Sequence, residues 1–216
     1  MTMFRDRTEA GEALAEALEG LALPDPVVLA LPRGGVPVAA PVARRLKAPL
    51  DLLLVRKIGA PGHEELAVGA VADGPVHEAV FNKPVLAMLG MTEAEFAPAI
   101  ARKLAEIEAR RATYLGDAAP VSVEGRTAIV VDDGIATGAT AKAALLGLKR
   151  RHPASVILAV PVAPADTLAE LEPLVDRVVC LDVPRDFYAV GAHYRDFPQV
   201  EDEEVIALLA AARSGR

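Results

Sequence analysis

The stretch Val130-Val131-Asp132-Asp133-Gly134-Ile135-Ala136-Thr137-Gly138-Ala139-Thr140 gathers carboxylates, hydroxyls and glycines immediately after an apolar run and just before a helical pattern. A phosphate placed there would meet free backbone N–H groups and the positive end of a helix dipole. Gly138 would let the backbone approach closely, and the Thr137 and Thr140 hydroxyls could donate to phosphate oxygens. Asp132 and Asp133 would repel that phosphate unless the ligand also carried hydroxyl donors. A ribose 5-phosphate carries both groups, hydroxyls for the acids and phosphate for the amides. The bland alternative is a helix start beside solvated acids.

Further stretches could join that chemistry. Leu31-Pro32-Arg33-Gly34-Gly35-Val36-Pro37 follows another apolar run, and its glycines would leave amides exposed next to the permanent charge of Arg33. Val55-Arg56-Lys57-Ile58-Gly59-Ala60-Pro61-Gly62-His63-Glu64-Glu65 brings adjacent cations to a Gly/Pro-rich turn. If the strand continues, Arg56 and Lys57 point to opposite sides. Val183-Pro184-Arg185-Asp186-Phe187-Tyr188-Ala189-Val190-Gly191 concentrates aromatics in a chain with no tryptophan, and such rings either stack on a flat base or pack this segment onto the core. There is no Walker A sequence and no Gly-x-Gly-x-x-Gly fingerprint, and His63-Glu64 lacks the second histidine of a zinc-protease motif. Zinc is not expected there.

The elements that must position these residues read as alternating strands and helices. Apolar runs at Val27 to Leu31, Leu50 to Val55, Ala128 to Val131, Val156 to Val162 and Val178 to Val183 suit parallel strands buried on both faces. Helical patterns at Val36 to Leu46, Ala139 to Arg151 and Pro164 to Leu174 lie between them. The expectation is a doubly wound α/β domain with a mainly parallel sheet of about five strands and helices on both faces. In such sheets ligands sit at the carboxyl ends of strands, where each of the first two stretches falls. The pattern changes after Gly69: short strands Gly69 to Ala72 and Val76 to Phe81 flank an Asp73-Gly74-Pro75 turn. A helical insertion over 82–116 follows, opened by the Thr92/Glu95 capping pair and continued by Phe96, Ile100, Leu104, Ile107, Arg111 and Leu115. Glu201 to Arg213 reads as a final docking helix.

At 216 residues, one domain with an elaboration is the expected organisation. The net charge of -7 argues against a broad nucleic-acid surface, while a small phosphorylated ligand needs only a local basic pocket. Cys180 lies in an apolar run and has no second cysteine to pair with, which fits core filler in a reducing cytoplasm. Charges near Met1 to Ala10 and the lack of a long uncharged apolar run give no indication of export or membrane insertion.

The stretch from Val130 to Thr140 resembles the signature of the type I phosphoribosyltransferases: apolar strand residues, paired acids and a Thr/Gly-rich loop. That resemblance implies binding of 5-phosphoribosyl 1-pyrophosphate with Mg2+ and transfer of phosphoribose to a small acceptor base, releasing pyrophosphate. It implies that Asp132 and Asp133 orient the ribose and serve the metal, and that Ala136, Thr137, Gly138, Ala139 and Thr140 form the phosphate loop. Arg33, Gly34, Gly35 and one of Arg56 and Lys57 would face the pyrophosphate. Gly59 to Leu66 would be a mobile lid with Glu64 or Glu65 as its carboxylate, and Phe187 or Tyr188 in a hood over 183–200 would stack on the base. Ala136 departs from the aspartate usual in enzymes acting on hypoxanthine or guanine, which favours an adenine-type acceptor. Ala60 in turn departs from the lysine found near that place in adenine enzymes. A non-catalytic regulator that binds the same ligand is the alternative reading, and transfer to water a further one. Dimers are frequent in the family, and the inserted helix could supply the interface of a homodimer.

Overall fold

Strands buried on both faces need cover from two layers, and the chain supplies it from helices that follow almost every strand. The computed structural model describes residues 3–61, 63–73 and 79–214. In chain order the elements are α1 (Arg7–Glu19), β1 (Pro26–Ala30), α2 (Gly35–Leu46), β2 (Leu50–Leu52), β3 (Val55–Ala60), β4 (His63–Ala72), β5 (Ala79–Phe81), α3 (Lys83–Leu89), α4 (Ala97–Leu115), β6 (Thr127–Val131), α5 (Ala139–Lys149), β7 (Ser155–Val162), α6 (Ala165–Leu171), β8 (Arg177–Asp182) and α7 (Asp202–Ser214). The expected parallel sheet is present with strand order β2-β1-β6-β7-β8. Alternate side chains divide between its faces. Val28, Ala30, Ile129 and Val131 share a core with α1, α2 and α7, whereas Val27, Leu29, Ala128 and Val130 pack with α5 and α6.

The winding direction reverses between β1 and β6, and an open α/β sheet has its ligand crevice at such a point. Ala30 stands opposite Val131, so the loops that follow both strands leave the sheet at the same level.

α1 was not among the expected elements. It starts where the Asp6 side chain accepts from the Glu9 N–H at 2.8 Å, and it buries Ala10, Leu14 and Leu18 at helical spacing. Gly11 permits its close packing on α2, since a Cβ there would lie 2.5 Å from the Val38 carbonyl oxygen.

Leu50 to Val55 corrects a second expectation, because the run is not one strand. β2 ends at Leu52, and Val55 opens β3 in a separate antiparallel sheet ordered β3-β4-β5. Every residue from Leu50 to Val55 is buried, so no change of period marks the switch.

The described residues of the Gly59 to Leu66 segment, expected as a mobile lid, continue the ribbon of β3 and β4, with Ala60 opposite His63. Ile58, Ala60, Val68 and Val71 join the core beneath α4, which gives the ribbon a reason to pair. Register shifts on either side of Gly59 bend it.

The expected strand pair after Gly69 forms in part, with Gly69 opposite Phe81 and Val71 opposite Ala79; residues 74–78, which hold the turn and the start of the second expected strand, lie outside the described residues. The helical segment 82–116 comprises α3, a short 3-10 turn at Glu93–Phe96 opened by the Thr92/Glu95 capping box, and α4. After β8 the chain runs through a 3-10 turn at Val190–His193 to α7. Among the described residues no helix is long and apolar enough to cross a membrane.

Candidate active site

The ends of β1 and β6 are drawn together by the Leu31 N–H, which donates to the Val131 carbonyl at 2.9 Å. The chain then turns through Pro32, Arg33 and Gly34 into α2, and the Pro32–Arg33 peptide is cis. A Cβ on Gly34 would collide with the Asp133 carboxylate, and one on Gly35 would lie 2.6 Å from the Val131 carbonyl oxygen. The paired glycines are therefore needed where α2 begins against the end of β6. They bring backbone against the acid pair.

Asp132 Oδ1 accepts the Asp133 N–H at 2.9 Å. Asp133 Oδ2 accepts from Arg7 Nε at 2.7 Å, with side chains only 10% and 14% exposed, so water screens this ion pair little. The Tyr194 hydroxyl donates to the Asp133 carbonyl at 2.6 Å. Burial, and then the neighbouring Asp133 charge, push the Asp132 carboxyl well above the ordinary carboxylate range. Burial also raises Asp133, opposed by the Arg7 hydrogen bond and charge. Arg7 is the site residue that sequence reasoning missed. The only local signal was the Asp6-x-x-Glu9 helix start, which says nothing about a partner far along the chain.

The loop 134–138 descends to α5. A Cβ on Gly134 would lie 2.6 Å from Val190 Cγ1, so the segment after β8 presses on this loop. Gly138 has φ of 71° and caps α5, and a Cβ there would lie 2.7 Å from Thr167 Cγ2 of α6. Its glycine identity thus serves the left-handed turn and the packing of α6. The Thr167 hydroxyl donates to the Ala136 carbonyl at 2.7 Å and holds the loop from below. Ala136, Thr137 and Thr140 are exposed and Ala139 half-buried. The N–H groups of the first turn of α5 have no acceptor within the helix.

The remaining expected residues are dispersed. Arg33 Nη1 lies 3.4 Å from Asp202 and 3.9 Å from Glu201, drawn to the acids that open α7. Asp202 also accepts the Tyr114 hydroxyl at 2.7 Å; burial and that bond push the tyrosine up to about 12, and the same bond lowers Asp202. Arg56 pairs with Glu106 of α4 at 3.5 Å. Lys57 is on the opposite face of β3, where it lines a groove with Lys83, with Lys142 of α5 and with Arg150 just after that helix. The Glu64 side chain lies outside the described residues. Phe187 stacks on the His193 ring with centroids 5.7 Å apart and planes at 16°, so its inner face is already occupied, while Tyr188 is 87% exposed.

A protein-family model described as the phosphoribosyl transferase domain matches residues 7–196, a span that includes Arg7, both loops and the acid pair. The chain belongs to that family. Its domain is of the pentosyltransferase type, and two Mycobacterium tuberculosis strains carry a relative, Rv0571c in one of them, whose name assigns it provisionally to the phosphoribosyl transferases. Each is 44% identical over 98% of this chain, and the chain spans 47% of that relative's length. The crystal structure of TT1426 from Thermus thermophilus is 44% identical, with a TM-score of 0.87 over 97% of this chain and 99% of that one. A Neisseria gonorrhoeae protein solved with bound ppGpp shares the fold at 15% identity and a TM-score of 0.54, over 100% of this chain and 98% of that one.

Proposed function

We propose that this phosphoribosyltransferase domain binds 5-phosphoribosyl 1-pyrophosphate through the β1 and β6 loops and transfers its phosphoribosyl group to a small nucleobase-like acceptor. The observation that carries the reading is the Asp132-Asp133 pair standing at the switch point, just before the first turn of α5. The 5-phosphate takes the exposed N–H groups and the Thr137 and Thr140 hydroxyls, and the ribose hydroxyls donate to the acids. The pyrophosphate lies toward Gly34 and the positive dipole end of α2, where the Gly35 and Val36 N–H groups already donate to the Leu31 and Arg33 carbonyls at 3.0 and 3.1 Å. Arg33, half-buried beside Asp202, reaches it by exchanging one anionic partner for another.

In the reaction the bond from the anomeric carbon to pyrophosphate breaks and a bond to an acceptor nitrogen forms, while the nitrogen's proton leaves. The carbon passes through an oxocarbenium-like state as charge grows on the departing oxygens. The positive end of α2 stabilises that charge because it is already oriented, and the acid pair holds the ribose in line for attack.

The acid pair also fits a magnesium ion. Magnesium keeps several waters and is commonly held by one or two carboxylates together with ligand phosphates, and among the described residues no group of three or more His, Cys, Asp or Glu forms a protein cage. When bound, the ion would neutralise charge on the diphosphate. Ala136 brings no carboxylate to the acceptor side, which supports a base such as adenine over a 6-oxopurine.

The test is pyrophosphate release from 5-phosphoribosyl 1-pyrophosphate and Mg2+ in the presence of adenine, guanine, hypoxanthine, xanthine, uracil, orotate or no base. Release that depends on one base is the expected result and names the acceptor. Binding without release would favour a regulator that keeps the ligand site, and absence of binding would refute the proposal.

A further inference from the structure

We propose that Arg7 is a positioning residue of the phosphoribose site, holding the Asp133 carboxylate and the wall beside it as one unit. This rests on the reading that Asp133 receives a ribose hydroxyl. One guanidinium makes several engagements at once. Nε donates to Asp133 Oδ2 at 2.7 Å, Nη1 donates to the Pro198 carbonyl at 2.7 Å, and the Phe197 ring centroid lies 3.7 Å from Cζ. Backbone bonds sew the same segments together: the Phe4 N–H donates to His193, and the Arg195 and Asp196 N–H groups donate to Phe4 and Arg5, each at 2.9 Å. The Tyr194 hydroxyl meets the Asp133 carbonyl from this same wall.

Asp133 is therefore clamped through one carboxylate oxygen, Oδ2, and through its carbonyl. A carboxylate fixed through one oxygen offers the other in a set direction, so the cost of orienting it is met before the ligand arrives. Only a planar guanidinium stacks on a ring while donating along separate edges. A lysine could supply the charge without the fork.

The experiment is calorimetric titration of the full chain with two probes, ribose 5-phosphate and inorganic phosphate. Arg7→Met should weaken ribose 5-phosphate roughly tenfold, the scale of one lost charge-assisted contact, and leave inorganic phosphate unchanged because it uses only the α5 loop. Arg7→Lys should recover part of the loss. Phe197→Leu, which removes the ring and keeps the charge, should give the same selective loss in smaller measure and serves if Arg7→Met does not fold. Equal weakening of both probes would mean a merely structural role, and unchanged affinity for both would exclude any role; either overturns the inference alone. Wild-type protein that holds ribose 5-phosphate no tighter than inorganic phosphate would overturn the ribose reading beneath it.

Discussion

Two buried clusters in this molecule pair acids with a single arginine, and they are finished differently. Asp51 of β2 and Asp73 after β4 share Arg111 of α4. Asp51 accepts from Arg111 Nη2 through both oxygens, at 3.0 and 2.9 Å, and also takes the Leu52 and Val121 N–H groups at 2.8 Å each. Its lone pairs are used up. Asp132 and Asp133 are neighbours in sequence, Arg7 pairs with Asp133, and both acids are held above the ordinary carboxylate range by burial. The first cluster ties the helical segment 82–116 to both sheets and has no acceptor capacity left at Asp51. The second keeps acceptor oxygens at the mouth of the crevice and tolerates mutual repulsion. The proposed ribose would complete this arrangement.

Breaking the cluster of Asp51, Asp73 and Arg111 should have the largest effect on stability. Arg111→Met would strand two buried carboxylates, at 1% and 7% exposure, and should cost about 3–5 kcal/mol. The midpoint of urea unfolding measures this. A midpoint within experimental scatter of wild type would show that the cluster is not structural and would remove the contrast.

The α5 loop sharpens the comparison from the other side, because its geometry depends on packing as well as on ligand groups. Gly138→Ala places a side chain at φ of 71° and into Thr167, and should cost about 1–2 kcal/mol from the backbone alone. Adding Thr167→Ser removes the methyl and keeps the hydroxyl that holds Ala136. That second change should return part of the stability, read by thermal melting. If it returns none, the α6 contact is not what requires glycine.

These clusters also mark how far the sequence could be read. The parallel strands and α2, α5, α6 and α7 were legible because apolar runs and helical spacing are local signals. The acid pair and the Gly34-Gly35 turn were legible because each sits at the end of such a strand, where the fold class itself puts ligands. Arg7 was not legible: it meets Asp133 across 126 positions, and a helix-start pattern does not encode that partner. The split between β2 and β3 was hidden because burial on both sides of Leu53 erases the period that would mark a change of sheet. Strand alternation put Arg56 and Lys57 on opposite faces, but only the packing of α4 and α5 decided which cation met which helix. The mutual approach of Gly34 and Asp133 likewise depends on the pairing of β1 with β6, a long-range event.

The smallest expected effect runs opposite in sign to the first. The Asp132 carboxyl is raised in the folded protein by burial and by Asp133, so its contribution to stability is fully present below the ordinary carboxylate pKa of about 4. That contribution is lost as pH rises through the elevated folded value, because the folded state must then bury a second negative charge. Asp132→Asn removes this charge while keeping an oxygen that can accept the Asp133 N–H. The variant should be more stable than wild type at neutral pH, by roughly 1 kcal/mol, and the difference should vanish as pH falls toward 4. Melting temperatures of both proteins between pH 4 and 8 test the sign directly. A variant destabilised at neutral pH would place Asp132 with the saturated acids. A variant that is stabilised, and that binds ribose 5-phosphate more weakly, would show that the strain in this pair is kept for the ligand.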